Sequence, residues 1–195
     1  MIRQKTSIKQ SMQLSDVEAC LYIDEQSLQD SIAAFAYMYS KLLASKHIDK
    51  LTVVGILNGS IYAVADVTKY LAMYDIPMQI DFLQISSYKG GFESRTLKLI
   101  KDIEIDVTDE HILLIDDIYD TGRTISVAVD HLLAKGARSI DVMTILLVQN
   151  QSRQSKPDYY LFEMEESYWA IGYGMDYKSY YRNLPAIYVI DRHRS

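Results

Sequence analysis

The sequence predicts an α/β fold, a central parallel sheet flanked by helices. Short apolar runs at 51–57, 112–115 and 139–148 have the composition of strands buried on both faces of a parallel sheet. Stretches of helical periodicity lie between them, and alternating strands and helices imply right-handed parallel crossovers. Acidic and polar residues cluster just after the runs, where sheets of this class bind ligands.

Taken in order, residues to about 26 form an N-terminal arm or hood piece of weak periodicity. From Ser27, the expected N-cap, Leu28, Ile32, Phe35, Tyr39 and Leu42 recur at helical steps and face the core. His47 closes that helix among Lys and Asp and belongs to the surface. The 51–57 strand turns at Asn58-Gly59-Ser60 into a helix with Ala63, Val67, Tyr70 and Leu71 inward. Residues 78–85 alternate as a strand, and Ser86 to Ser94 is a polar, Gly-rich loop long enough for a lid. Residues 97–103 begin the return strand. Ile125 to Lys135 is a helix with Val129, Leu132 and Leu133 inward, ended by Gly136. After the 139–148 strand come a polar link to Pro157, apolar stretches at 158–164 and 169–171, and a Tyr-rich tail.

At 195 residues the chain is expected to be one domain, 1–195, with a core at about 27–150 and hood pieces at about 1–26 and 158–195. A chain of this length buries about 70% of its unfolded surface. It is 49% hydrophobic with 8 Gly and 3 Pro, which marks a globular chain. The formal charge of −6 argues against nucleic acid as a partner. Cys20 is alone, which suits a reducing cytoplasm. No apolar run approaches a membrane span, and the basic N-terminus lacks a signal-peptide core, so no membrane partner is expected.

The chemistry concentrates in His111-Ile-Leu-Leu-Ile-Asp-Asp-Ile-Tyr-Asp-Thr-Gly-Arg-Thr124. Asp116 and Asp117 follow an apolar strand where it should end. Asp120 to Thr124 then brings hydroxyls, a glycine and backbone N–H groups to the expected helix start, where unpaired amides and the helix dipole attract phosphate. Taken alone, the acids describe a solvated turn and Asp-Thr-Gly-Arg-Thr a helix cap. Together they offer a dianionic pair for hydroxyls or a metal beside a phosphate cradle, which suits a sugar phosphate.

The pattern of four apolar residues, Asp-Asp, two spacers and Asp-Thr-Gly-x-Thr resembles the phosphoribosyl-pyrophosphate (PRPP) motif of type I phosphoribosyltransferases. Gly55-Ile-Leu-Asn-Gly-Ser60 resembles the pyrophosphate loop of the 6-oxopurine members. Gly172-Tyr-Gly-Met-Asp-Tyr177 with Arg182-Asn-Leu-Pro185 resembles the hypoxanthine-guanine phosphoribosyltransferase signature. The resemblance runs from about Val53 to Ile190. It implies that fold with its small terminal hood, transfer of ribose 5-phosphate from PRPP to hypoxanthine or guanine, Mg²⁺ as cofactor, and a homo-oligomer, dimer or tetramer. It assigns the ribose hydroxyls and metal shell to Asp116 and Asp117, the 5′-phosphate to Thr121, Gly122, Arg123 and Thr124, and general-base duty to Asp120. Pyrophosphate falls to Asn58, Gly59 and Arg182. The purine falls to Trp169, Ala170 and Asp176, with Asp176 also toward a metal. Ser87 and Tyr88 would belong to the closing lid. Relatives often hold a cis peptide where this chain has Leu57-Asn58.

Two positions depart from the family pattern. Asn58 stands where Lys or Arg is usual, leaving pyrophosphate contact to backbone amides. The strand holding Leu146 and Leu147 ends in Val148 or Gln149 where the family has a base-reading Lys. A Gln149 amide can donate to a 6-oxo group or accept from a 6-amino group. The competing readings are a phosphoribosyltransferase for another base, a regulatory PRPP-binding protein without turnover, and a plain flavodoxin-like nucleotide module. The acidic charge speaks against an RNA-binding regulator, and the presence of both Asp120 and Arg182 against the nucleotide module.

Overall fold

The computed structural model describes residues 11–14, 18–88, 96–150 and 155–192. In chain order its elements are β1 (Ser11–Gln13), β2 (Glu18–Ile23), α1 (Glu25–Ser45), β3 (Leu51–Leu57), α2 (Ile61–Leu71), β4 (Met78–Tyr88) and β5 (Thr96–Lys101). There follow β6 (His111–Tyr119), α3 (Arg123–Ala134), β7 (Ser139–Gln149), β8 (Tyr159–Glu165), β9 (Tyr168–Ile171) and β10 (Ile187–Asp191). The main sheet has the order β5-β4-β3-β6-β7-β8 and is parallel except for the antiparallel β4–β5 pair. A smaller antiparallel sheet, β1-β2-β10-β9, gathers both ends of the described chain into the hood.

Strand β6 carries the core. Ile112, Leu113, Leu114 and Ile115 are all fully buried, and successive side chains serve opposite faces. Leu113 and Ile115 pack with Leu28, Ile32, Val64 and Val67 of α1 and α2. Ile112 and Leu114 pack with Ile125, Ala128 and Leu132 of α3. A continuous apolar run is therefore the pattern that a two-faced strand requires. Each such side chain contributes about 1.5–3 kcal/mol on burial.

Several boundaries differ from the sequence expectation. The N-cap of α1 is Asp24, whose carboxylate accepts from Ser27 N and Ser27 Oγ, both at 2.8 Å. Ser27 thus sits inside the first turn and helps the cap as its partner. The buried stripe ends on Leu43, with Leu42 half-buried. In α3, Leu133 is exposed, and Ile125, Ala128 and Leu132 make the inward face. Strand β4 runs on through Ser86, Ser87 and Tyr88, whose backbones pair with Lys98, Leu97 and Thr96 of β5. Residues 89–95 of the expected lid lie outside the described residues. The end of α3 is as expected: Gly136, at φ +93°, lets Gly136 N and Ala137 N reach back to Leu133 O and Leu132 O. Among the described residues no helix is long and apolar enough to cross a membrane.

The two ends of the main sheet are unlike. At the amino ends of β6 and β7, His111 is buried and closed into a network. Its Nδ1 lies 2.7 Å from Ser139 Oγ and its Nε2 lies 3.0 Å from Tyr39 Oη, which in turn donates to Asp141 at 3.0 Å. A wide groove of about 560 Å³ lies near this end, where the Lys50–Glu110 pair and the Gln79–Thr52 bond engage much of its polar lining. The carboxyl ends offer a different surface, described below.

A further polar tie fixes α3 to the β5–β6 connection. Asp102 accepts from His131 at 2.8 Å and Lys135 at 3.0 Å. Burial pushes its carboxyl up, but the bonds from His131, Lys135 and Ile103 N–H outweigh this and hold it down at about 2. The unfolded value is about 3.9. The folded pKa is the lower one, so this stabilisation is complete above the unfolded value and is lost as pH falls toward 2. Asp102→Asn should therefore lower the urea midpoint near neutral pH. It should also make the acid limb of the stability curve shallower than in the wild type, as followed by circular dichroism during acid titration. Parallel acid limbs would show that the tie contributes nothing.

Candidate active site

Between β3 and β6 the strand order turns around, β4 and β5 lying to one side and β7 and β8 to the other. Such a switch point opens a crevice at the carboxyl ends of the strands. The ladder between β3 and β6 ends at Gly55 and Ile115, while that between β6 and β7 continues to Tyr119 and Leu147. Asp116 and Asp117 thus lie within β6 rather than after it. They remain strand residues on the β7 side and line the crevice on the other. The cavity there, about 340 Å³, is lined by Leu57 to Gly59, Asp116 to Ile118, Asp120 to Ile125, and Arg182, with Ile56 and Ile85 as apolar wall.

Two helices begin at this cavity, and neither has a side-chain cap. The ladder of α3 starts with Ser126 N to Gly122 O, so the N–H groups of 123–125 lie ahead of it. That of α2 starts behind the Asn58-Gly59-Ser60 turn, with Val64 N to Ser60 O. Hydroxyls and carboxylates that would normally cap stand beside both termini and do not do so. Asp-Thr-Gly-Arg-Thr is therefore not simply a helix cap, and both termini suit an anion. The Leu57–Asn58 peptide is cis, as the resemblance implies.

The two acids are tightly coupled. Burial, then the charge of Asp117, pushes the Asp116 carboxyl well above the usual carboxylate range. Burial raises Asp117 as well, opposed by hydrogen bonds from Asp116 and Ile118 N–H and by the Arg182 guanidinium. Two acids side by side in a buried setting disfavour full ionisation of both. Hard oxygens in this setting fit Mg²⁺, which is commonly held by one or two carboxylates plus substrate oxygens and water. Among the described residues no group of three or more His, Cys, Asp or Glu converges as a metal cage. Asp176 in particular does not complete a three-ligand set with the pair. Its Oδ1 holds Arg182 Nη2 at 2.8 Å and its Oδ2 accepts from Ser179 N at 2.7 Å.

The hood closes the cavity from above through one tight contact. At Gly59 a side chain would collide with the Asp117 carboxylate. Gly174, at φ +99°, sits so close to the Gly59 carbonyl that a Cβ there would collide with it. The Gly174 carbonyl accepts from Arg182 Nη1 at 2.6 Å, and its N–H donates to Arg182 O at 2.9 Å. Arg182 is thereby aimed into the cavity. Trp169 belongs to the same assembly: its Nε1 donates to Asp176 O at 2.7 Å and its ring is 46% exposed. Ala170 is buried beside it in β9.

The structure brings Asn58, Gly59, Asp116, Asp117, Asp120, Thr121, Gly122, Arg123, Thr124 and Arg182 into one cavity. Trp169 and Asp176 reach it through Arg182. Gln149 stands apart, exposed at the end of β7 with its amide donating to Glu163 at 3.0 Å. Val148, the other position considered, is buried. Ser87 and Tyr88 belong to β4 by their backbones. Ile118 was not singled out from the sequence. It lines the cavity between the acid pair and Asp120 as an apolar platform, and its signal was its place between the acids and Asp120.

Comparison with known proteins follows the same lines. The family described as the phosphoribosyl transferase domain matches residues 24–178. The hypoxanthine-guanine phosphoribosyltransferase of Bacillus subtilis is 32% identical over 182 residues, covering 92% of this chain and 96% of the relative. That of Aquifex aeolicus is 33% identical over 145 residues, covering 73% and 79%. Among solved structures, the hypoxanthine phosphoribosyltransferase of Trypanosoma cruzi in complex with the product IMP superposes with a TM-score of 0.81 at 23% identity, covering 94% of this chain and all of that one.

The Gly174–Gly59 contact yields a stability test. Alanine at a left-handed φ costs about 1–2 kcal/mol before any collision is counted. Gly174→Ala should therefore lower the unfolding free energy by more than that, measured by urea denaturation. A change within about 0.5 kcal/mol, the usual range for neutral surface substitutions, would mean that hood and loop separate freely.

Proposed function

The chain belongs to the phosphoribosyl transferase family, and on that premise we propose that it transfers the 5-phosphoribosyl group from PRPP to hypoxanthine or guanine, giving IMP or GMP and pyrophosphate. The observation that carries this reading is the single cavity in which two uncapped helix N-termini, a coupled Asp pair and an aimed Arg converge. PRPP carries phosphate at both ends of a ribose, and the cavity offers an anion site on each side of a pair of acids.

In this reading the amides of Thr121 to Thr124 hold the 5′-phosphate. Asp116 and Asp117 accept from the ribose hydroxyls. Asn58 and Gly59 present backbone groups to the pyrophosphate, and Arg182 donates to it as a fork. Mg²⁺, when bound to the diphosphate, neutralises charge on the leaving group. The bond between the anomeric carbon and the pyrophosphate oxygen breaks with oxocarbenium-like charge at the sugar, and the electron pair leaves with pyrophosphate. The purine N9 lone pair forms the new bond. The base enters as the tautomer protonated on N7, and that proton passes to Asp120. Ile118 supplies an apolar surface for the flat base, and Trp169 the aromatic partner beyond it. Closure of the hood excludes water, which would otherwise hydrolyse the activated sugar. Asp176 serves here by anchoring Arg182 and Trp169.

We place the protein in the cytoplasm on the strength of its single cysteine. Self-association into dimers or tetramers is supported by the exposed apolar side chains of Tyr37, Met38 and Met73, with Tyr37 packed on Tyr74.

Turnover of PRPP with hypoxanthine, guanine, xanthine and adenine tests the proposal, and no turnover with any base would overturn it. Within it, Asp120→Asn should reduce kcat by about 10²–10⁴-fold, the usual contribution of a general base. PRPP affinity should survive, as measured by calorimetric titration. An undiminished kcat would remove Asp120 from proton transfer.

A further inference from the structure

The hood meets the loop after β3 at the tip of a tight turn. Gly172 and Met175 exchange backbone hydrogen bonds, 3.0 Å each way, around Tyr173 and Gly174. Both central residues have positive φ, +49° and +99°, as a mirror-image hairpin turn requires. Glycine suits the second place. A bulky side chain at the first is strained, and contacts elsewhere must hold it there. We infer that Tyr173 is a positioning residue for the pyrophosphate end of the site, its hydroxyl setting the height at which the hood delivers Arg182. The inference rests on the proposed function and reaches a residue outside the cavity lining.

The tyrosine side chain leaves the hood and ends on α2. Its Oη donates to Asp66 Oδ2 at 2.7 Å, with Tyr62 O farther off at 3.3 Å. Tyr62 and Asp66 are one helical turn apart, so both contacts fall on one face of the helix. Tyr173 is 3% exposed, and its ring centroid lies 5.9 Å from that of Tyr62. Asp66 is itself braced. Gln29 Nε2 of α1 donates to the same Oδ2 at 2.8 Å, and Lys69 Nζ lies 3.5 Å from Oδ1. Burial, then the bond to Asp66, pushes the Tyr173 hydroxyl far up, so it stays a donor. A hydroxyl on a carboxylate is a charge-assisted bond, one of the stronger kinds in a protein.

Position in the chain gives this bond its reach. The next residue is Gly174, whose carbonyl accepts from Arg182 Nη1 and whose N–H donates to Arg182 O. Gly174 also lies against the Gly59 carbonyl, and α2 begins at Ile61 just beyond. Tyr173 and Gly174 thus clamp one helix at its side and at its start. Without the Tyr173 bond the turn can rise from Gly59 and carry Arg182 with it. The purine end is held by other means, since Trp169 and Ala170 are fixed in β9 by pairing with Ile190 and Val189 of β10. Loosening the turn therefore weakens ligands that bear a diphosphate before it weakens a nucleotide product.

The test measures Kd by calorimetry for PRPP, for inorganic pyrophosphate with Mg²⁺ and for IMP, with KM and kcat for hypoxanthine turnover alongside. The variants are Tyr173→Phe, Asp66→Ala and Asp66→Asn. Loss of a hydrogen bond to a charged group should raise Kd for PRPP and pyrophosphate about 3- to 30-fold in Tyr173→Phe and Asp66→Ala. KM for PRPP should rise in step, while kcat and the IMP affinity stay near wild type. Asp66→Asn is isosteric, keeps an acceptor for Tyr173 and should stay near wild type throughout. If IMP weakens as much as pyrophosphate, or if neither changes, the bond serves only the fold and the inference fails while the proposed function stands. Should Tyr173→Phe unfold, the Asp66 variants decide: equal pyrophosphate affinities in Asp66→Ala and Asp66→Asn overturn the inference. A wild type that turns over no base overturns the proposed function, and the pyrophosphate affinities then still decide this inference. Absence of pyrophosphate binding in the wild type overturns both.

Discussion

Two carboxylates on consecutive residues at the end of a buried strand repel one another and resist leaving water, at an effective cost of several kcal/mol per ion once relaxation is counted. Much of what surrounds Asp116 and Asp117 answers that constraint. Burial and the neighbouring Asp117 push the Asp116 carboxyl up, toward its neutral form. Arg182 brings a positive charge toward Asp117 and is held for that purpose by Gly174 O and Asp176. The first turns of α2 and α3 face the same space with no side-chain caps. Gly59 is required because the Asp117 carboxylate fills the volume a side chain would need. Gly174 is required in turn because the hood must come down on Gly59 to deliver Arg182. A substrate with hydroxyls between two anionic groups relieves the whole arrangement at once, which is why the site suits that chemistry.

The contrast between the ends of the sheet follows from the same accounting of polar groups. At the amino ends of β6 and β7, His111, Ser139, Tyr39 and Asp141 satisfy each other. Burial and the neighbouring Asp141 push the Tyr39 hydroxyl far up, so it remains a donor at any accessible pH. The groove at that end is larger than the active-site cavity, yet its polar lining is largely engaged in pairs. Volume alone does not make a site. Convergent charges beside helix termini without side-chain caps do, and they collect at the carboxyl ends where helices begin.

Features set by contiguous residues were legible in the sequence. Strand β3 and the 121–124 cradle depend on neighbours along the chain, and the apolar run of β6 on the alternation of two buried faces. The end of β6 was misplaced because the apolar run stops at Ile115 while its ladder to β7 continues to Tyr119. Hydropathy reports burial and carries no information on where hydrogen bonding ends. Strands β1, β2 and β10 were hidden for a related reason: they are short and their burial does not alternate cleanly. The N-cap slipped from Asp24 to Ser27 because Ser27 is the donor whose N–H and hydroxyl the Asp24 carboxylate accepts. Arg182 and Asp176 were found only through family resemblance, being remote in sequence from the acids they serve. The bond from Asn150 to Asp120 was missed altogether. The two are 30 residues apart, and only the parallel register of two strand ends brings them together.

The two departures from the family pattern have a common electrostatic consequence. Asn58 stands where Lys or Arg is usual in the family, and Val148 or Gln149 where it has a Lys, so side-chain positive charge is thinned at both positions. Among the cavity-lining residues the cations are Arg123 and Arg182, set against Asp116, Asp117 and Asp120. A ligand as anionic as PRPP cannot enter such a cavity on side-chain charge alone. Backbone amides supply partial charges at both ends, worth about 0.5 of an elementary charge per helix terminus. The carboxylate oxygens of Asp116 and Asp117 are hard donors that would suit a divalent cation carried on a diphosphate. The base edge is under a different demand, because a neutral purine needs no counter-charge there.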